Sequence, residues 1–221
     1  MASKLIVIEG LDGSGKGTQS ALITQILKDR GHKVKKLTFP DYESNTSALV
    51  KMYLGGELGD NPDDVNAYAA STFYAVDRVA SFIKDWKKDY EECDYVVADR
   101  YVTSNIIYQM SKVKDSERDD YIEWCEDFEY NRLCVPKPDV VIYLDMPPAV
   151  SQKLMTGRYN GDESKKDIHE KNMNFLLSCR KSALYALEKL SWEHISCADG
   201  DNPKSIEEIT AQILDIIDNK L

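Results

Sequence analysis

Positive charge is what this chain is short of: 28 Lys and Arg stand against 38 Asp and Glu, a net charge of −10. So acidic a chain has no bulk attraction for a nucleic-acid polymer, and any polyanion it binds must be held by a local basic site. Its five cysteines, Cys93, Cys125, Cys134, Cys179 and Cys197, form no CxxC pair and no metal-finger spacing, so neither a disulfide framework nor a zinc module is expected. No apolar run of membrane length, no signal-peptide pattern at the N-terminus and no internal repeat is visible. The expectation is a reduced, cytoplasmic protein with no membrane partner. At 221 residues the chain suits a single α/β domain, 1–221, with a sizeable core.

Glycine is placed with purpose near the N-terminus. In Leu5 to Gln19, LIVIEGLDGSGKGTQ, an apolar strand runs into a glycine-rich turn that ends in a lysine and opens a helix. Gly10 and Gly15 take the two glycine positions of the Walker A pattern and Lys16 follows, so the turn through Gly13 and Ser14 can point backbone N–H groups at a polyphosphate. Side chains at the glycines would block that approach. Lys16 then reaches the β- and γ-phosphates. The residue after the lysine is Gly17, and the hydroxyl comes one place later at Thr18, which leaves the magnesium-binding hydroxyl open.

The rest of the chain alternates strands and helices, which argues for a parallel sheet covered on both faces. Strands are expected at Leu5–Glu9, Lys33–Phe39, Tyr95–Ala98, Val140–Leu144 and His194–Cys197. Asn61 and Pro62 read as the start of a long helix running to about Tyr90, with Val65, Ala69, Phe73, Val76, Ala80, Ile83 and Trp86 as its core-facing stripe. Further helices are expected at Ser14–Arg30, Thr46–Leu54, from Val102, Asp115–Arg132, Ala149–Met155, Asp167–Leu190 and Ile206–Ile217. Thr156 to Lys166, TGRYNGDESKK, reads as a basic, glycine-hinged lid loop whose Arg158 could close over a triphosphate as an arginine finger in cis.

In such sheets ligands sit beyond the carboxyl ends of the strands. There the sequence places the glycine loop, Phe39 and Pro40, Asp99 to Tyr101, and Ala198 to Gly200. Asp99 is the candidate for holding magnesium, directly or through water. Arg100 can take a phosphoryl group as a bidentate fork. Tyr101, Ser104, Asn105 and Tyr108, with Gln109 beside them, make one helical face suited to a nucleoside. Tyr74 and Arg78, four apart, allow a ring to stack on a base while a guanidinium donates to its edge.

Together these residues resemble the thymidylate kinase family, a P-loop nucleoside monophosphate kinase group, over almost the whole chain. The resemblance rests on EGLDGSGKGTQ, FP after the second strand, an aromatic four residues before Arg78, DRY at Asp99–Tyr101, Ser104 and Asn105, PD at Pro138 and Asp139, and a basic loop before DIHE. It implies a five-stranded parallel sheet, a homodimer, ATP with Mg2+, and thymidine 5′-monophosphate as acceptor. It further implies that Asp12 positions the acceptor, Tyr74 stacks on thymine, Arg78 reads a thymine carbonyl and Arg100 holds the acceptor phosphate. Ser104 and Asn105 would line the base pocket, and Tyr108 would crowd out a ribose 2′-hydroxyl. Tyr42 stands where many members carry an arginine, and Gly13 where some do. His169 has no firm match and reads best as a solvated helix histidine. The alternatives are an adenylate- or uridylate-type kinase, or a nucleotide-binding regulator without turnover.

Overall fold

In the computed structural model, residues 2–158, 169 and 172–221 are described, with the backbone alone for 155–158. The strands β1 (Lys4–Gly10), β2 (Val34–Thr38), β3 (Tyr95–Asp99), β4 (Val140–Asp145) and β5 (Glu193–Ser196) form one sheet in the order β2-β3-β1-β4-β5. Every pairing in it is parallel. The central strand is buried from Leu5 to Gly10 because it is covered on both faces. Leu5 and Val7 point to one apolar layer and Ile6 and Ile8 to the other, the two-residue alternation of a pleated strand.

Helices α1 (Lys16–Asp29) and α9 (Ile206–Lys220) cover the Ile6/Ile8 face through Ile23, Leu27, Ile209, Ile213 and Ile217. The other face takes α5 (Thr103–Tyr108), α6 (Arg118–Glu126) and α8 (Met173–Lys189), together with Trp86. The remaining α-helices described are α2 (Ala48–Leu54), α3 (Ala67–Ser81), α4 (Lys87–Glu92) and α7 (Pro148–Arg158). Among the described residues no helix is long and apolar enough to cross a membrane.

Several expectations are corrected. Pro62–Asp64 is a 3-10 turn held by an Asn61/Asp64 capping box, and α3 starts only at Ala67, capped by Asn66. From there the helix continues through a π-helical stretch, Phe82–Trp86, into α4. Its buried face carries Ala67, Ala70, Ser71, Ala75, Arg78 and Ser81, while Val76 and Ile83 of the expected stripe are 45% and 71% exposed. On α3 the apolar stripe therefore faces outward, while Trp86 beyond it is buried in the core as expected, and a small, polar stripe of α3 faces the core because the groove beneath is filled by the Arg78 guanidinium and its partner. Thr156–Arg158 continues α7 as helix rather than opening the loop; 159–166 lie outside the described residues. Helix α8 begins at Met173 with Asn172 as its cap, not at Asp167. Ala198–Asp199 (β6) and Asn202–Pro203 (β7), expected as loop, pair as a small antiparallel hairpin.

Candidate active site

The turn after β1 has the backbone its glycines permit. Gly10, Gly13 and Gly15 have φ of 154°, 78° and 91°. A Cβ on Gly10 would lie 2.5 Å from Ser14 Oγ and 2.8 Å from the Leu144 carbonyl, so only glycine fits between the turn and β4. Gly15 caps α1 with no side chain over the first N–H groups, which leaves the positive helix terminus open to an anion. Lys16 is buried, donates from Nζ to the Leu11 carbonyl at 3.1 Å and lies 3.7 Å from Asp12 Oδ1. Burial, with Arg100 nearby, pushes its pKa down, so a charge brought alongside it would be met by an under-compensated cation.

Asp12, Arg100 and Tyr108 close on one another. Arg100 Nη2 donates to Asp12 Oδ1 and the Tyr108 hydroxyl donates to Asp12 Oδ2 at 2.9 Å. The guanidinium lies 5.0 Å from the Tyr108 ring centroid. Burial pushes the Asp12 carboxyl up, and Arg100 and Lys16 overcome it, holding Asp12 well below the usual carboxylate range. Arg100 has φ 68°, an unfavoured backbone that aims its side chain back over the glycine turn.

Asp99 fits the magnesium role on two observations. Its Oδ1 is buried without a hydrogen-bond partner, and its Oδ2 is 3.3 Å from where a Cβ on Gly17 would stand. Asp99 is thus a carboxylate with one buried oxygen unpaired and the other beside the phosphate turn, the chemistry that a cation or its water would satisfy. Thr18 also lines the cleft but is exposed.

A single cleft of about 1320 Å³ runs from this turn in two directions, larger than one drug-sized ligand fills. One arm is bounded by Phe39, Pro40, Tyr74, Arg78, Asn105 and Tyr108, the other by Met146, Leu154, Lys204 and Ile209. Arg78 is brought to the first arm but is not held there alone. Its Nε and Nη2 donate to Glu129 at 2.6 and 2.5 Å, and Nη1 to the Tyr101 carbonyl at 3.3 Å. Both partners are buried to 1% exposure, and Glu129 raises the Arg78 pKa against the effect of burial. Three of five N–H groups are spent, and two remain for a ligand.

The nucleoside face of α5 is only partly free. Ser104 donates to both Glu9 oxygens, at 2.9 and 3.0 Å, and Asn105 Nδ2 donates to Glu129 at 2.9 Å and the Ser71 carbonyl at 3.3 Å. Tyr101 is a core ring whose hydroxyl donates to the Pro136 carbonyl at 2.9 Å, so it is not a hydroxyl offered to the cleft. Gln109, by contrast, is fully buried, lines the cleft, and has neither amide atom paired.

Three residues of the site were missed or misread by the sequence reasoning. Glu9 is fully buried and accepts from Thr103, Ser104 and the Tyr101 N–H, fixing the start of α5; a carboxylate ending an apolar strand beside the Walker turn was its signal. Glu129 had none, since nothing local marks a glutamate that pairs 51 positions away. His169 is the third. It is buried, lines the cleft, accepts or donates at 3.1 Å with the Tyr53 hydroxyl, and stacks on Tyr108 at 5.7 Å and 16°. It is therefore not a solvated helix histidine. Burial, reinforced by Lys112, pushes its pKa down to about 3, so it is neutral at pH 7. The sign of its effect on stability follows: the unfolded chain takes up this proton below its ordinary pKa of 6.5 and the folded one does not until about 3. Stability is thus complete above 6.5 and falls as pH drops towards 3. His169→Gln, compared with the parent by denaturant unfolding at pH 7 and 4.5, will lose less stability over that interval.

The comparisons with known proteins agree with one another. The family model described as thymidylate kinase matches residues 8–213. The chain is 32% identical over 186 residues to the thymidylate kinase of Mycobacterium tuberculosis, covering 82% of this chain and 84% of that one. It is 30% identical over 176 residues to that of Plasmodium falciparum, covering 78% and 77%. Among solved structures, the thymidylate kinase of Candida albicans superposes with a TM-score of 0.70 at 21% identity, covering 99% of this chain and 92% of that one. That of Ehrlichia chaffeensis does so with a TM-score of 0.68 at 20% identity, covering 99% and 100%.

Proposed function

The chain belongs to the thymidylate kinase family and is an ATP-dependent phosphotransferase acting on thymidine 5′-monophosphate; from the cleft we propose how its residues divide that work. ATP phosphates lie along Gly10, Gly13, Ser14, Gly15, Lys16, Gly17 and Thr18. The nucleoside monophosphate takes the arm bounded by Phe39, Pro40, Tyr74, Arg78 and Tyr108. Its ionised phosphate oxygen attacks the γ-phosphorus in line while the bond to the β,γ-bridging oxygen breaks and ADP leaves, so no general base and no covalent intermediate is required. Lys16 and Arg100 spread the charge of the transferring group, and Asp12 positions Arg100 rather than removing a proton. Arg158, whose side chain lies outside the described residues, supplies a further cation on this reading. Asp99 would hold Mg2+, directly or through water, and the ion would supply charge neutralisation to the ATP phosphates. Lys51 lines the cleft with Nζ 3.2 Å from the Tyr42 carbonyl, and we assign it the phosphate contact that an arginine at Tyr42 would have made.

The observation that carries the acceptor assignment is Gln109. A buried, unpaired amide costs free energy that a ligand repays by pairing with it, and a pyrimidine edge carries the donor and acceptor required. With Tyr74 stacking and Arg78 donating to a carbonyl, the arm suits a thymine. A coupled ADP-release assay across the nucleoside monophosphates tests the reading: thymidylate will be turned over with the highest kcat/KM, whereas preference for adenylate or uridylate, or no turnover of any, rejects it. Tyr74→Ala will raise KM for thymidylate about five- to 150-fold, the scale of one base–aromatic stack, and leave KM for ATP near the parent value. Equal shifts in both would remove Tyr74 from the base site.

Residues 1–221 are read as one kinase domain; of the lid expected at about 156–166, Thr156–Arg158 is helix and 159–166 lie outside the described residues. A cytoplasmic location agrees with the five free thiols. A homodimer is supported by the outward stripe of α3. Ala69, Phe73, Val76, Ala80 and Ile83 recur at spacings of four and three and are at least partly exposed, a seam suited to a second copy of itself. Sedimentation velocity will show a dimer that Ile83→Lys weakens.

A further inference from the structure

Tyr53 does nothing in the scheme above, yet it is 1% exposed and its ring meets both Tyr74 and His169, which line the cleft. Its ring meets Tyr74 edge-on at 6.4 Å and 87°, and lies 6.2 Å from Phe73. Its hydroxyl accepts from Lys112 Nζ at 2.7 Å, while the ammonium also lies 5.0 Å from the ring centroid and donates to the Val65 carbonyl at 3.1 Å. With the lysine donating to the phenol oxygen, the phenol proton can go to neutral His169 Nε2 at 3.1 Å or to the Pro62 carbonyl at 3.2 Å. His169 lies flat on Tyr108, whose hydroxyl donates to Asp12, the partner of Arg100. A continuous chain of contacts therefore runs from Lys112 to the phosphate turn, through residues drawn from separate segments of the polypeptide.

We propose that Tyr53 is a positioning residue for the nucleoside end of the cleft: its ring backs Tyr74, and its hydroxyl, held by Lys112, sets His169 against Tyr108. The alternative of a purely packed tyrosine does not account for its polar contacts. A phenol that served only to fill space would not need a half-buried ammonium on its oxygen and against its ring, and Lys112 bears a cost for being there, since burial pushes its pKa down to about 8. A cation kept under such conditions is retained where its hydrogen bond orders something. Here it orders an oxygen that already has a ring nitrogen on its far side. Tyr53 belongs to α2 and His169 precedes α8, so the hydroxyl ties together two segments 116 positions apart in the chain.

The proposal rests on the reading that Tyr74 and Tyr108 flank the nucleoside. It is tested by steady-state kinetics on Tyr53→Phe, His169→Ala and their double variant, with Lys112→Met as a second route to the same loss and Tyr108→Ala as the control on that reading. Tyr53→Phe keeps the ring and removes the hydroxyl. It will raise KM for thymidylate about tenfold, the scale of one hydrogen bond to a charged network, with KM for ATP and kcat within about twofold and the melting temperature little changed. The double variant will be no worse than the worse single one, because both cut the same chain. If Tyr108→Ala and Tyr74→Ala both leave KM for thymidylate unchanged, the cleft reading falls and the proposal with it. If they raise it while Tyr53→Phe and Lys112→Met do not, the positioning role alone is overturned. It is overturned equally if the Tyr53 and His169 effects simply add, or if Tyr53→Phe raises KM for both substrates alike.

Discussion

Lys16→Ala will lower kcat about 10³-fold, roughly 4 kcal/mol of transition-state stabilisation, without unfolding the protein. Among the described residues Lys16 Nζ donates to the Leu11 carbonyl and approaches Asp12 at 3.7 Å. Asp12 keeps Arg100 and Tyr108 when the lysine is gone. Because burial lowers the Lys16 pKa, the charged head group adds little to the stability of the fold, and its removal will leave the melting temperature near the parent's. The loss thus falls on the moment when charge moves between the phosphates. Stopped-flow or coupled-assay turnover alongside thermal melting checks both halves. Turnover within tenfold of the parent would mean that another cation meets the γ-phosphate, and a melting temperature well below the parent's would mean that Lys16 is structural.

Glu129→Ala will have the largest effect on stability, about 3–5 kcal/mol, the range for leaving one member of a buried ion pair alone. For a chain of this size that is a fall in melting temperature of roughly 6–20 °C. Arg78 is 1% exposed and loses two of its three hydrogen bonds, and Asn105 loses a partner with it. Among folded molecules, KM for thymidylate will rise while KM for ATP holds, since the guanidinium is no longer aimed into the acceptor arm. Arg78→Met with Glu129→Leu separates the two consequences. Replacing both partners by apolar groups restores most of the stability but not the KM. If Glu129→Ala alone proves as stable as the parent, the pair is not the buried contact described, and Arg78 is free to face the ligand without it.

Local chemistry explains what the sequence settles unaided. The phosphate turn is contiguous, its glycines and lysine sit at fixed offsets, and strand before and helix after are signalled by neighbouring residues. The alternation of apolar strands with helices then requires a parallel sheet with loaded carboxyl ends, which is why Asp99, Arg100, Phe39 and Pro40 are found at the cleft. Periodicity, however, reports only that a helix has an apolar stripe. On α3 the stripe is outward and the polar face is inward, a choice made by Glu129, which lies 51 positions from Arg78 and makes a buried guanidinium tolerable. The same holds for Ser104 and Asn105, whose polar groups turn to Glu9 and Glu129, for Gln109, whose amide is left unpaired in the cleft wall, and for His169. Burial in a ring of aromatic side chains with Lys112 beyond Tyr53 makes that histidine neutral, and no spacing along the chain encodes such a surrounding. Paired polar groups cost little to bury and lone ones cost much, so which residues face inward depends on partners that only the tertiary structure brings within reach.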